Sequence, residues 1–425
     1  MLWIILIGVV ALIVLGVPLA FSFGGASALF MAITNPSFLQ MLPQRVWAGT
    51  DSFVLIAMPL FILAGELMNT GGITRRLIDF CMYMVRPFKG GLGEVNVVAS
   101  MLFGGISGSS VADTSALGSV LIPEMEKRGY GRKFTAGITV ASSTMGMIIP
   151  PSVPMIMYSM ISEESIGKLF LAGLIPGILI GLTQIILCTS ISRKRHYVPK
   201  YGPIDWSHFR KTMLAGLPAI IMPFMILIFV SFGITTASES AAAAALYALF
   251  VGTVIYKELK WKDIVSALKK TLIMSSSIML IVGFTGIFTW LLTMNKVPQM
   301  LADFILGLGA NKIVIMLAFD LVLLLLGTFI DVVPTLLLVT PIMLPIMRGY
   351  GVNGLQFGAI MIVACAIGLV TPPVGMCLNA CTKINKMPIT EIFKGAAPFL
   401  LCNVFILVLI SLVPEVTLWA PGLMG

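Results

Sequence analysis

The sequence predicts an all-α polytopic membrane protein with inverted-topology repeats, each containing a re-entrant helical hairpin and a broken transmembrane helix. Two observations predict the membrane class. Of the 425 residues, 58% are hydrophobic and 11% are charged, whereas a soluble domain is about 25% charged. The chain also contains many apolar runs of about 20 residues, the length of a helix that spans a bilayer. A third observation, a repeated pattern of glycines and prolines, predicts the repeats.

Apolar spans are predicted at 2–20, 24–43, 54–70, 92–125, 134–162, 168–191, 213–232, 235–256, 271–294, 311–347, 353–383 and 395–417. The segments 92–125 and 311–347 are too long for one crossing, and small, polar or proline residues interrupt both near the middle. Each therefore predicts a hairpin of two half-helices. The first span lacks a basic segment and a cleavage site of small residues, so it is expected to be a retained helix.

Charge predicts the orientation. The net charge is +9, but the 27 Lys and Arg residues cluster in short loops, as expected of cytoplasmic loops, so no nucleic-acid partner is implied. The loop 192–212 carries six of them, and the segment 257–270 carries five in an amphipathic pattern typical of an interfacial arm. Counting crossings from these two loops places 128–131 in the cytoplasm and 348–352 on the opposite side.

The repeats are visible because the same residues occur at the same spacing within each half of the chain. One glycine and two prolines are separated by 18 and then 27 residues in each half, and the motif RGYG lies between the prolines both times. The matching positions are Gly105, Pro123 and Pro150, and Gly327, Pro345 and Pro372. Because the two RGYG motifs fall on opposite sides by charge, the halves are expected to be inverted, as in many secondary transporters.

Each half also contains a Pro-Pro pair inside an apolar span, which predicts a broken helix. Proline removes a backbone donor and frees a carbonyl, and such groups persist at membrane depth only when buried in protein or lining a wet cavity. The breaks at 142–152 and 366–375 are therefore expected to face the hairpin tips at 105–114 and 327–335. Carbonyls and hydroxyls gathered there form a cage for a small cation such as Na⁺, and helix N-termini favour an anion.

The tips and breaks supply the candidate site residues. The first set comprises Ser107, Gly108, Ser109, Ser110, Asp113, Ser142, Ser143, Thr144 and Gly146. The second comprises Gly327, Thr328, Asp331, Thr335, Gly368 and Thr371. The two aspartates are costly at membrane depth and are functional candidates, either as direct ligands or as groups that orient the ligands. Glycine and serine in membrane helices also allow close helix packing, which is the alternative role for the small residues of these sets. Three further acidic residues are expected to be either buried hydrogen-bonding groups or residues near cavity mouths: Glu66, Glu239 and Asp320.

Sequence patterns for other functions are absent. The chain has no Walker A motif and no cofactor fingerprint, and its two histidines, His196 and His208, cannot form a His-Glu-x-x-His site. The six cysteines lie mostly in apolar stretches, where they are expected to be small buried hydrophobic residues. A secondary transporter is therefore favoured over an enzyme, and the alternatives are an ion channel or an intramembrane enzyme. A channel usually repeats around an axis along the membrane normal, unlike an inverted chain.

The motifs FGGISGSSVADTSALGSVLIPEMEKRGY, GMIIPPSVPMIMY and GLVTPPVGMCLNA resemble the large membrane subunit of tripartite ATP-independent periplasmic (TRAP) transporters, over essentially the whole chain. The resemblance implies a Na⁺-coupled importer of organic anions in a bacterial inner membrane. It also implies two partners, a small four-helix membrane subunit and a periplasmic substrate-binding protein. It places Na⁺ site 1 in the first residue set above and Na⁺ site 2 in the second.

The resemblance further implies an elevator mechanism. Residues 92–191 and 311–425 are expected to form the transport domain, whereas 1–91 and 192–310 are expected to form scaffold helices and connecting arms. The arms are expected at 71–89, 257–270 and 295–306.

The cargo is implied to be a carboxylate such as sialic acid (N-acetylneuraminate), which overall likeness favours, or a C4-dicarboxylate. No Arg or Lys is predicted well inside a span near the tips, so Na⁺, helix ends and polar groups are expected to hold the carboxylate. The candidate cargo contacts are Thr144, Pro150, Thr371 and Asn379.

Overall fold

The computed structural model describes residues 2–85, 91–197, 206–307 and 309–424. Within these ranges the chain forms α-helices joined by short turns, without β-strands. Eight of the helices are long and apolar enough to cross a membrane, which confirms the all-α polytopic class. Arg86, Lys89 and Lys200, which belong to the predicted cytoplasmic loops, lie outside the described residues.

The N-terminal helices are α1 (Leu2–Val14), α2 (Leu19–Thr34), a 3-10 helix (Pro36–Met41), α3 (Leu42–Thr50), α4 (Phe53–Thr70) and α5 (Ile73–Met84). The predicted spans 2–20 and 24–43 are therefore wrong in their boundaries. The first helix ends early because Gly16 turns the chain with a φ of +80°, a conformation that glycine adopts readily. The second ends before Pro36, since the residue preceding a proline disfavours the helical conformation.

The first repeat consists of α6 (Leu92–Ser107), α7 (Ser110–Lys127), α8 (Arg132–Ser142), the short α9 (Met145–Ile148), α10 (Val153–Ser162) and α11 (Ile166–Lys194). Helices α6 and α7 form the predicted hairpin, and they pack against each other. Helices α8 to α10 form the predicted broken helix, which bends by 40° at its break.

The middle of the chain forms α12 (Trp206–Ser231), α13 (Ala237–Phe250) with a π-helical turn (Val251–Ile255), α14 (Trp261–Met294) and α15 (Val297–Gly307). Most of the segment expected to be an interfacial arm, 257–270, is the first part of α14. Helix α14 is continuous over 34 residues, because no glycine or proline interrupts the chain between Trp261 and Val282.

The second repeat consists of α16 (Lys312–Phe329), α17 (Val332–Gly349), α18 (Gly354–Gly368), α19 (Met376–Asn385) and α20 (Ile389–Leu412), followed by α21 (Glu415–Gly422). Helices α16 and α17 form the second predicted hairpin, and α18 and α19 form the second broken helix. The Pro-Pro peptide bonds at 150–151 and 372–373 are both cis.

The two broken helices run antiparallel, which confirms the inversion of the repeats. At one end, the Arg132 guanidinium at the start of α8 donates to the carbonyl of Asn385 at the end of α19. At the other end, the Tyr158 hydroxyl near the end of α10 donates to the Gly354 carbonyl at the start of α18, at 2.7 Å. The start of each broken helix therefore lies beside the end of the other.

The repeats pack into one body through contacts that cross between them. Phe134 of α8 packs on Phe399 of α20, with ring centroids 5.9 Å apart. In the same helix pair, Gly137 and Gly395 meet backbone to backbone, so that a Cβ on either would collide with the other helix. Small residues allow membrane helices to approach closely, and here they hold the first broken helix against the second repeat.

Candidate functional site

The first hairpin turns at Gly108 and Ser109. Gly108 has a φ of +60°, in the left-handed region that glycine adopts without steric cost. The Ser109 side chain accepts a hydrogen bond from the Ala112 backbone N–H at 3.4 Å and so caps α7. The N-terminal end of α7, which carries a partial positive charge, therefore lies at the hairpin tip.

Hydroxyl groups join this tip to the first break, as predicted. The Thr114 hydroxyl donates to the Ser143 hydroxyl at 2.7 Å. The Ser110 hydroxyl donates to the Thr144 backbone carbonyl at 3.4 Å. All four side chains are buried, so the oxygens of the tip and the break are concentrated in one small volume away from solvent.

Asp113 is the buried carboxylate of this cluster. Its side chain is 0% exposed, and neither of its oxygens accepts a hydrogen bond from the described residues, although the Ser100 hydroxyl lies nearby. Gly146 packs against it, because a Cβ on Gly146 would lie 3.2 Å from the Asp113 Cβ. An uncompensated buried carboxylate costs several kcal/mol, so the surroundings of Asp113 fit a bound cation.

Ser142, a predicted ligand, has other partners. Its hydroxyl lies 3.0 Å from the Ser100 hydroxyl and donates to the Asn96 side-chain carbonyl at 3.3 Å. The Asn96 amide in turn donates to the Thr139 hydroxyl at 2.6 Å. This buried network ties α6 to α8, so Ser142 positions the hairpin relative to the broken helix.

The second tip is built around Asp331. One oxygen of its side chain accepts the Val332 backbone N–H at 2.8 Å, which caps α17, and the Thr335 hydroxyl donates to the Asp331 carbonyl at 2.8 Å. The hydroxyls of Thr328 and Thr371 donate to carbonyls of the preceding helical turn at 2.7 and 2.9 Å. Each of these threonine oxygens keeps an acceptor lone pair for another partner.

Gly327 and Gly368 bring the second tip against the second break. A Cβ on Gly327 would lie 3.0 Å from the Gly368 Cα and 3.3 Å from the Cys365 carbonyl oxygen. The tip and the break therefore touch through their backbones, as expected from the sequence.

The two tips meet at one cavity of about 150 Å³. The hairpin and broken-helix residues that line it are Phe103, Ser107, Gly108, Ser109, Ala112, Met147, Val153, Pro154, Asp331, Val332 and Val333. Three helices begin beside it, α7, α10 and α17, which are capped by Ser109, Ser152 and Asp331. The ends of α7 and α10, which neutral serines cap, leave partial positive charge for an anion, whereas the Asp331 carboxylate already meets that of α17.

The four predicted cargo residues do not line this cavity in the described structure. Thr144 and Pro150 are fully buried in the break. Thr371 is half-buried, and the half-buried Asn379 donates its amide to the Val374 carbonyl at 2.7 Å. The residues brought to the cavity are instead Ser107, Gly108, Ser109 and Asp331 from the predicted ion sites.

Two polar residues that the sequence analysis missed support the first break. The Asn403 amide of α20 donates to the Thr144 hydroxyl at 2.9 Å. The Gln184 amide of α11 donates to the Asn403 side-chain carbonyl at 2.8 Å and to the Ala141 carbonyl at 3.1 Å. Both residues lie inside apolar spans, where polar side chains indicate a function or a buried partner, and that signal could have identified them.

Cys377 was also missed as a neighbour of the site. It lies at the start of α19, is fully buried, and sits beside Thr114 and Ser143, within electrostatic range of Asp113 and Asp331. This position agrees with the packing of helix α19 of the second repeat against α7 of the first.

The structure assigns different environments to Glu66, Glu239 and Asp320, the three acidic residues for which the sequence left two roles. Glu239 caps α13 by accepting the Thr236 backbone N–H at 2.8 Å, and the buried Asp320 of α16 accepts the Ser411 hydroxyl of α20 at 2.7 Å. Both contacts are structural. Glu66 instead lines the cavity, on the wall that α4 and α14 form.

The sequence profile of the family described as "Tripartite ATP-independent periplasmic transporter, DctM component" matches residues 6–416. The chain belongs to this family. The resemblance inferred from the hairpin and Pro-Pro motifs is thereby confirmed. Because TRAP permeases are inner-membrane proteins and this chain has eight candidate spans, it is a multi-pass protein of the bacterial inner membrane.

Named relatives agree with this assignment. The chain is 36% identical over 416 residues to "Sialic acid TRAP transporter large permease protein SiaM" of Vibrio cholerae, covering 98% of this chain and 97% of that protein. It is 33% identical over 406 residues to "C4-dicarboxylate TRAP transporter large permease protein DctM" of Pseudomonas aeruginosa, covering 95% and 94%. Family members are therefore transporter permeases, and the description names them as one component of a tripartite system.

A solved structure shares the TRAP permease fold described above. The YdaH transporter of Alcanivorax borkumensis superposes with a TM-score of 0.66 over 89% of this chain and 88% of that chain. At 14% identity, this likeness concerns the fold alone.

Proposed function

We propose that this chain is the Na⁺-coupled membrane subunit of a TRAP importer of organic anions, such as sialic acid or C4-dicarboxylates. The observation that carries the proposal is the cavity where two inverted hairpin tips meet, beside the buried and unpartnered Asp113. Such a carboxylate favours a cation, and the serine-capped N-termini of α7 and α10 favour an anion. A site with both preferences suits the joint transport of Na⁺ and a carboxylate.

Two groups of residues would hold Na⁺. In the first repeat these are Asp113 with the tip and break oxygens around Ser110, Ser143 and Thr144. In the second they are Asp331 with the oxygens around Thr328 and Thr371. Na⁺ is a hard cation that prefers oxygen ligands, and when bound it would supply positive charge next to the cargo carboxylate. The chain itself keeps the tips rigid, excludes lipid and directs helix N-termini at the cavity.

The transport domain would comprise residues 92–191 and 311–425, and the scaffold 1–91 and 192–310. Contacts across the repeats support this division, because Tyr158 of α10 bonds to Gly354 of α18, and Gln184 of α11 bonds to Asn403 of α20. The cavity lies where that body faces α4 and α14. Movement of the body along this face would carry Na⁺ and cargo across the membrane, which is an elevator mechanism.

The partners would be a small four-helix membrane subunit on the scaffold and a periplasmic binding protein that delivers the cargo. The tripartite description of the family supports this assembly, and the names of the relatives support a carboxylate cargo.

Uptake by reconstituted proteoliposomes tests the proposal. The chain is reconstituted with its small subunit, each candidate binding protein is added, and labelled N-acetylneuraminate or succinate is supplied with an inward Na⁺ gradient. Saturable uptake that requires both the gradient and one binding protein is expected. Uptake that is unchanged when K⁺ replaces Na⁺ would exclude the coupling, and conduction without saturation would favour a channel.

A further inference from the structure

The scaffold wall of the cavity carries a charged pair. Helix α4 presents Gly65, Glu66 and Asn69 to the cavity, and α14 presents Met274 and Ile278. Gly65 and Glu66 precede Asn69 by four and three residues, and Met274 precedes Ile278 by four, so each set forms one face of its helix. The cavity is therefore closed on one side by two defined helix faces.

Lys270 extends the α14 face by one turn, since it lies four residues before Met274. Its ammonium is 3.1 Å from a carboxylate oxygen of Glu66. The Glu66 side chain is 20% exposed and the Lys270 side chain is 55% exposed, so the ammonium remains accessible while its partner is mostly covered. The tertiary structure thus brings a lysine to the edge of the cavity, although the sequence predicted no Lys or Arg near the hairpin tips.

Glu66 of this pair lies one helical turn from the start of a path that leaves the cavity. Asn69 lines the cavity and also lines a groove of about 580 Å³ that continues past Arg75 and along the Ser115 and Ser119 face of α7. Arg75 and Lys270 belong to the basic side of the protein, which the charge distribution assigns to the cytoplasm. Asn69 follows Glu66 by one helical turn, so an anion that leaves the hairpin tips past Asn69 also comes near the Lys270 ammonium beside Glu66.

We propose that Lys270 binds the cargo carboxylate at the cytoplasmic end of the cavity, and that Glu66 is the resident counter-ion which the carboxylate displaces. The inference rests on the proposed function and deepens it by naming a cargo-recognising group. The displacement exchanges one carboxylate for another at the same ammonium, so Lys270 always has a partner. The released Glu66 carboxylate competes with the cargo for that ammonium, which keeps cargo binding readily reversible.

A purely structural role would be a salt bridge that joins α4 to α14. Removal of both charges in one variant separates the two roles. If the bridge is only structural, the double variant leaves no unpaired charge and keeps normal cargo binding. If Lys270 recognises the cargo, the double variant still lacks the lysine and binds the cargo poorly. The variants Lys270→Met, Lys270→Arg, Glu66→Gln and the double variant Glu66→Gln/Lys270→Met therefore separate them. Lys269→Met is the matched control, since the neighbouring lysine is exposed and lies about 100° away around the helix.

The experiment measures equilibrium binding to the purified complex in Na⁺ buffer. The probes are N-acetylneuraminate and succinate, each compared with its uncharged carboxamide. Lys270→Met and the double variant are expected to lower the preference for acid over amide about tenfold, the size of one lost charge-assisted hydrogen bond. Lys270→Arg and Lys269→Met are expected to retain the preference, and Glu66→Gln is expected to tighten acid binding.

The failures of the two proposals are distinguishable. If the wild-type complex binds an acid and the double variant shows the same preference, Lys270 is structural and this inference is overturned. If the wild-type complex binds neither acid, the proposed cargo class is wrong, and the role of Lys270 is overturned with it. Thermal unfolding of each variant confirms that it is folded before binding is compared.

Discussion

Gly327 and Gly368 are in backbone contact at the second hairpin tip. A Cβ on Gly368 would lie 2.5 Å from the Gly327 Cα, closer than two carbon atoms approach without bonding. This contact fixes the distance between the second tip and its broken helix, and hence the position of the oxygens around Thr328 and Thr371.

The first prediction concerns this contact. Gly368→Ala is expected to push the tip from the break, to destabilise the fold by about 1–3 kcal/mol as in other overpacked interiors, and to lower the Tm and cargo uptake. The control is Gly349→Ala in the same repeat, where a Cβ would meet no atom within 4 Å. An unchanged Tm for Gly368→Ala would show that the two glycines are not packed as described.

The second prediction concerns Asp113. Asp113→Asn removes a buried charge that lacks a partner, so the Tm without Na⁺ is expected to rise. The further increase in Tm on addition of Na⁺ is expected to be smaller than in the wild type, because a Na⁺ ligand is lost. Thermal unfolding in Na⁺ and in K⁺ at equal ionic strength measures both effects. The exposed Asp303→Asn on α15 is the control. A full Na⁺ response in Asp113→Asn would argue against site 1.

The third prediction concerns the support of the first break. Asn403→Leu leaves the Thr144 hydroxyl and the Gln184 amide without this partner, which is expected to cost about 1–3 kcal/mol and to weaken stabilisation by Na⁺. Tm as a function of Na⁺ concentration checks both effects. Phe405→Leu, a lipid-exposed position on the same helix, serves as the control. Wild-type behaviour of Asn403→Leu would mean that the network does not hold the break in place.

The fourth prediction concerns sidedness. Cysteines introduced at Lys127 and Gly349, which are exposed at the ends of the two hairpins, are expected to react with a membrane-impermeant maleimide from opposite sides. A background without native cysteines is used, since Cys402 is half-exposed. The Lys127→Cys variant is expected to react from the cytoplasm. Labelling of both positions from one side would contradict the inversion.

The sequence predicted most of the architecture because the signals are local. Span length, the prolines of each Pro-Pro pair, and the glycine or aspartate at each tip act within a few turns of helix. Hairpins and breaks follow from such signals wherever they occur. The errors were local too, since the effects of Gly16 and Pro36 on the first helices were overlooked.

By itself, the sequence determined the membrane class, the inverted repeats, the family and the segments that form the site. Only the tertiary structure decided how individual side chains are used, because their partners lie far away in the chain. Asn403 and Thr144 are separated by 259 residues, and Lys270 and Glu66 by 204. Such contacts depend on how whole helices pack, and no periodicity within either segment contains that information.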